Sequence, residues 1–423
     1  MFHGTWGYIH HPNPTLLKSL NHSQLTLQAY YNALQKVPSM KISLDMFLPT
    51  PEEEVHWEAV AKSQLACVMN KYVGSAAHPT LAIPSKPPPV EEIDCSAPNI
   101  EMLKLMSASD NLAKGAGQII EAILLQSGLK PKDFMARVQI MDGDLGTCKN
   151  FNSQRALRTP TRYPEHRLNN MCFVLGASHT LWNMAQNMLN SHLGNPSDTH
   201  DLGVWHYLQA MGVPPDKIIP KKDFTSMIYN IKKAHEASIL YCIRVVQKTE
   251  KAPVPDVLPT IPTEEWNRIV NKCYSQFFSP QAQRECSKEE SPKQHAFLIR
   301  LHDFATIVEA DRAMKSGDIG RLMSMWKVWS LMSQALHGLV NYRTYLSRMV
   351  LQLNHVLPPD MSKLVRHNLL VSPSGRKDHF TSKDQHLETQ NFWLKVFYNC
   401  SGSGTKVARL EEMFLLNMPL SPA

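Results

Sequence analysis

Apolar positions recur at helical spacing through most of the chain, and this pattern predicts its elements. Residues 21–37 carry apolar side chains three and four apart. The stretch 109–128 reads as a helix with Ser109 or Asp110 as N-cap and Gly128 just past its end, stopped before Pro131. Asp223 is placed to cap a long helix reaching Val246, and Thr263 to cap another reaching Phe278, with Glu264 and Glu265 in its first turn. Helices are also expected over 292–315, 318–337, 341–356, 359–370 and 381–399. Two short apolar runs break the pattern: "ARVQIM" (136–141) and "MCFVLGA" (171–177). Each is followed by turn residues or a helix, the form of a buried parallel strand. The fold class expected is mainly α with a small parallel β-sheet.

Proline punctuates this pattern. Residues 77–99 and 251–265 hold several prolines each and read as extended connectors. The organisation expected is a helical N-terminal segment over 1–100 and a second unit over 101–415. That unit divides into an α/β core (109–195), a helical insertion (196–316) and a C-terminal helical part (317–415).

Composition narrows the class. At 423 residues, 43% of them hydrophobic, the chain can bury a sizeable core. No apolar run approaches the roughly 18 residues that span a bilayer. The first residues, "MFHGTWGYIHHPNP", have no basic stretch followed by an apolar one, so the expected location is intracellular, nucleus or cytoplasm. The eight cysteines include no C-x-x-C pair and match no zinc spacing. A net charge of +7 permits contact with nucleic acid without requiring it.

The candidate chemistry starts at "VQIMDGDLGT" (138–147), where a strand ends on two carboxylates. Ligand sites in open α/β sheets lie beyond the carboxyl ends of strands, which puts Asp142 and Asp144 at such a place. In extended chain their Cα atoms lie roughly 6–7 Å apart, a spacing suited to a hard cation such as Mg²⁺. The plainer reading is an Asp-Gly turn whose carboxylates bond to their own backbone. His179 begins the helix after the second strand, as a partner for a phosphate or carboxylate or as a ring packed on Trp182. Asp384, Glu388 and Asn391 share one helical face, which otherwise reads as solvated surface. Arg155, Arg158, Arg162 and Arg167, with Lys221, Lys222, Lys232 and Lys233, are candidate phosphate contacts or solvated charge.

Between about residues 105 and 415 these segments resemble a large family of unknown function, expanded in mushroom-forming fungi and regarded as transposon-derived. The resemblance rests on Gly143, Asp144, Thr147 and His179; on "GDIGR" with Gly317, Asp318, Gly320 and Arg321; and on Asp384, Glu388, Asn391 and Trp393. Thr389 stands where the family has His, and Leu145 where it has Gln. An upstream Asp-Asn block has no counterpart in residues 1–100, so a shortened copy is expected. The family's motif order is similar to that of ribonuclease-H-like transposases. That implies an incomplete ribonuclease-H-like core with large helical insertions. It further implies Asp144 and Glu388 as two of three metal-holding carboxylates, with Mg²⁺ or Mn²⁺ the cofactor if the site is catalytic. The expected function is a transposase-derived fragment with weak DNA binding and little or no catalysis. A helical protein-interaction module without chemistry competes with it, its methionines and the aromatic residues Trp326, Trp329, Tyr342 and Tyr345 forming core or a binding face. An intact metal-dependent nuclease, with Asp142 as third carboxylate, is the remaining alternative.

Overall fold

The computed structural model describes residues 5–163, 167–198, 200–214, 223–253, 255–288 and 291–400, with side chains described to Trp393 at the C-terminal end. In chain order the first elements are β1 (Tyr8–His11), α1 (Pro14–Ser19), α2 (Leu27–Gln35), α3 (Pro51–Tyr72), β2 (Ser75–Ala76) and β3 (Asn99–Met102). Next come α4 (Ala113–Ser127), α5 (Pro131–Met135), β4 (Gln139–Gly143), α6 (Leu145–Arg158), β5 (Met171–Leu175) and α7 (Ala177–Ser191). A helical run follows: α8 (Val204–Ala210), α9 (Phe224–Gln247), then β6 (Thr260–Ile261), α10 (Thr263–Cys273), α11 (Pro280–Lys288), α12 (Pro292–Ser316), α13 (Ile319–Ala335) and α14 (Val340–Leu351). The chain ends with α15 (Pro359–His367), β7 (Leu370–Val371), β8 (Thr381–Ser382) and α16 (Lys383–Cys400). The protein is mainly helical, as the periodicity predicts.

Local chemistry starts these helices where it can. Thr50 and Glu53 form a reciprocal capping box on α3. Asp223 caps α9 through the Ser226 amide, as expected, and Gly128 ends α4 in the left-handed conformation. Other expectations need correction. Neither Ser109 nor Asp110 caps α4, which begins after Leu112 without a side-chain cap. Asp110 instead accepts the Thr147 hydroxyl at 2.7 Å. Thr263 is the first residue of α10 rather than its cap, and its hydroxyl accepts the amide of His78. The helix expected to reach residue 370 stops at His367, because Leu370 and Val371 pair with β8.

Sheets are small. The described strands form four two-stranded pairs: β4–β5 and β2–β6 parallel, β1–β3 and β7–β8 antiparallel. The predicted neighbours at 136–141 and 171–177 do pair in parallel, with Gln139 opposite Met171 and Gly143 opposite Leu175. The first strand is displaced along the chain, so Asp142 and Gly143 belong to it and only Asp144 lies past its end. β5 is wholly buried, whereas every residue of β4 is half-buried.

The larger core gathers around this pair from α4, α6, α7, α12, α13 and α14. Trp326, Trp329 and Tyr342 are buried in it, so those aromatic residues serve as core. A second core joins α3, α10, α11 and parts of α9 and α12 around Trp266. The proline-rich stretch 77–99 is held by the GDIGR segment. The buried Asp318 carboxylate accepts the amides of Val90 (2.9 Å), Glu91 (3.0 Å) and Arg321 (3.1 Å). At Gly320 a Cβ would lie 2.6 Å from the Val90 side chain, so the close approach of the connector requires glycine. Arg321 turns inward and donates to Glu309 at 2.6 Å, both side chains being buried.

Candidate functional site

Three segments distant in sequence meet at the carboxyl end of the β4–β5 pair. The first is the turn from β4 into α6. Asp144 caps α6, its Oδ1 accepting the Thr147 amide at 2.6 Å, and the residue stays exposed. Asp142 lies back along the strand, where its Oδ1 pairs with Lys383 Nζ at 3.0 Å. The two carboxylates singled out as a pair are therefore in different states: one is neutralised by a lysine, the other is open.

The second segment is the start of α7, and the third is the first two turns of α16. The N-cap of α7 is Gly176, which has no side chain to offer the helix. Asp384 of α16 supplies the missing acceptor. Its Oδ1 takes the Ser178 amide at 3.2 Å, and its Oδ2 takes both the backbone amide and the ring Nδ1 of His179, each at 2.9 Å. A Cβ at residue 176 would come within 2.4 Å of Asp384 Oδ2, so only glycine lets the carboxylate reach the helix end. The Ser178 and Ser382 hydroxyls share a 2.6 Å bond beside it.

Burial and charge set the protonation states. Burial opposes the Asp384 charge, but the His179 hydrogen bonds and positive charge hold its carboxyl below the ordinary carboxylate range. Burial likewise opposes charge on His179, and there the hydrogen bond and charge of Asp384, with the charges of Asp144 and Glu388, raise its pKa. Each partner thus favours the charged form of the other. With Nδ1 engaged, Nε2 is the ring nitrogen left to meet a ligand. The ring also packs on Trp182, with centroids 6.2 Å apart. Nearby, burial with the charges of Asp144 and Asp142 pushes the Cys148 thiol up to about 12, leaving it a protonated core group.

The charged residues of the three segments open onto one cleft of about 1230 Å³. Asp142, Asp144, His179, Asp384, Glu388 and Asn391 line it, as do Asp110 and Lys383. Asp384, Glu388 and Asn391 do share a face of α16, and Glu388 is exposed. The deeper wall is apolar, from Ile119, Ile123, Phe134 and Phe151. Residues 5–12 form another wall, where the Tyr8 hydroxyl donates to the Lys383 carbonyl at 2.9 Å. Lys383, Asp110 and this wall escaped sequence reasoning. Lys383 stands beside Asp384 in the chain, but nothing local marks it as the partner of Asp142.

The described basic residues proposed for phosphate lie elsewhere. Arg155 donates to the Met171 carbonyl (3.3 Å) and to Asn152 (2.6 Å) and covers the Phe173 ring. Arg158 pairs with Glu121 at 3.6 Å, and Arg167 donates to the Thr161 carbonyl. Arg162 is exposed. None of the four lines the cleft. Lys232 pairs with Asp311 and Lys233 with Glu236, while Lys221 and Lys222 lie outside the described residues. Among the described residues, no group of three or more His, Cys, Asp or Glu side chains is arranged to hold a metal ion.

A helical protein with a parallel strand pair and an acidic cleft at its carboxyl end is the class that fold and site define. The chain belongs to a family of unknown function, DUF6589, whose model matches residues 38–420. That match reaches upstream of the region in which the sequence motifs lie. No curated protein and no solved structure matches the chain. No helix among the described residues is long and apolar enough to cross a membrane.

Proposed function

We propose that the cleft is the remnant of a phosphodiester-processing site in a transposon-derived, ribonuclease-H-like protein, and that it binds nucleic acid weakly without cutting it. The observation that carries this reading is the convergence of Asp144, Glu388 and the His179–Asp384 pair at the end of β4 and β5. A protonated His179 can donate Nε2–H to a phosphate oxygen. Asp144 and Glu388 are the exposed carboxylates that could hold Mg²⁺ or Mn²⁺, which would stabilise charge on a reacting phosphate. Among the described residues they do not make a complete metal centre. Asp142 is neutralised by Lys383, Asp384 is committed to His179, and two open carboxylates are too few for two hard cations.

Purified protein incubated with supercoiled DNA and Mn²⁺ tests the reading. Expected is salt-sensitive, sequence-indifferent retention of DNA and no nicking. Nicking that disappears in Asp144→Ala would overturn it and establish a metal-dependent nuclease. A second reading, a helical interaction module without chemistry, is favoured by the exposed apolar residues Val37, Ile42, Leu44, Leu48 and Val55 between α2 and the first turns of α3. Absence of DNA retention at low salt would favour it. On the first reading the site of action is the nucleus or cytoplasm.

A further inference from the structure

The cleft is bounded by the edges of two separate sheets. Eight consecutive residues of one wall, 137–144, line it, and so do eight consecutive residues of the other, 5–12. A strand that shows a face to a cavity contributes alternate residues, and β3 contributes only Glu101. A strand that shows an edge contributes every residue. β4 pairs only with β5 among the described strands, and β1 only with β3.

The hydrogen-bond phase agrees. The Gln139 amide donates to Asn170, and the Gly143 carbonyl accepts from Gly176, so the odd positions of β4 bond to β5. The alternation of a parallel ladder then turns the N–H and C=O groups of Ile140 and Asp142 away from β5, toward the cleft. On the other wall Leu103 donates to Gly7, and the register places Ile9 opposite Glu101. The backbone groups of Tyr8 and His10 therefore point away from β3. His10, which lines the same cleft, also keeps its buried Nδ1 without a hydrogen-bond partner.

We propose that this cleft receives an extended peptide segment of a partner protein, added as a strand on the free edge of β4. Its alternate residues are apolar, and a Lys or Arg lies over Asp144 and Glu388. Backbone groups of Ile140 and Asp142 supply the pairing, as in other complexes made by strand addition. Ile119, Ile123, Phe134 and Phe151 supply the apolar wall for every second side chain. The charge of the end residue follows from complementarity. Asp144 and Glu388 are exposed there, while the nearby cations Lys383 and His179 are already paired with Asp142 and Asp384. The inference does not depend on nucleic-acid binding, and its test contains neither DNA nor divalent metal.

Fluorescein-labelled peptides of about seven residues, alternating Val and Thr, span β4 at roughly 3.3 Å per residue. One carries Arg at its C-terminal end and one at its N-terminal end, covering parallel and antiparallel addition. Fluorescence anisotropy with the full chain is expected to show binding of one of them, weakened by salt. Methylating alternate backbone amides of that peptide should abolish binding to the unaltered protein, a control that needs no variant to fold. Ile140→Pro removes the outward N–H while leaving the amides that bond to β5, and should weaken binding about tenfold. Asp144→Asn combined with Glu388→Gln should flatten the salt dependence. The proposal is overturned if neither Arg peptide binds, if the N-methylated peptide binds equally well, or if a Glu-ended peptide binds as tightly as its Arg counterpart.

Discussion

Asp384 is the residue on which the site turns, because it caps α7 and fixes His179 at once. The linkage signs of the pair differ. Asp384 has a lowered pKa, so its contribution is complete above its ordinary value of 3.8 and is lost as pH falls through the folded value. His179 has a raised pKa, so its contribution is complete below its ordinary value of 6.5 and is lost as pH rises through the folded value. Stability from the pair should therefore be full between these ordinary values and fall on both sides. Urea midpoints measured across pH should show that plateau in the wild type and not in Asp384→Asn. In the same variant the His179 ring, followed by NMR, should titrate at lower pH than in the wild type. Gly176→Ala should cost about 1–3 kcal/mol through overpacking against the Asp384 carboxylate, read from the shift of the urea midpoint.

At the scale of elements, the GDIGR segment shows how a motif can be legible and its role hidden. Its residues stand out in sequence, yet Asp318 bonds chiefly to amides of residues 90 and 91, and Arg321 to Glu309. Asp318→Ala should leave the two connector amides without their acceptor and cost on the order of 3 kcal/mol. Limited proteolysis should then cut within 77–99 faster than in the wild type. Glu309→Gln leaves the buried Arg321 without its counter-charge, and about 3–5 kcal/mol should be lost in denaturant unfolding. Helix ends were readable where the cap was adjacent in sequence, as at Asp223. They were misread at α4, whose expected cap Asp110 bonds to α6 instead, and no local residue marks the cap of α7, whose capping carboxylate comes from α16.

At the scale of the molecule, two hydrophobic cores share the long helices α9 and α12. Trp266, buried in the second core, should cost about 3–5 kcal/mol when changed to Ala. Hydrogen exchange should then show the loss concentrated in α3, α10 and α11, with amides of β5 keeping their protection.

The chain by itself determined what depends on neighbours in sequence. Periodicity gave most helices, two apolar runs gave the parallel pair, and motif spacing singled out Asp144, His179, Asp384, Glu388 and Asn391. These follow from backbone propensity, capping and the period of burial, which act over a few residues. Tertiary structure decided which carboxylates stay open. Lys383 neutralises Asp142 across 241 positions of chain and His179 binds Asp384 across 205, while Asp144 and Glu388 remain exposed. It also brought residues 5–12 and β4 to the same cleft. No local pattern encodes either outcome, because each arises from side chains and strand edges that meet only after the helices pack.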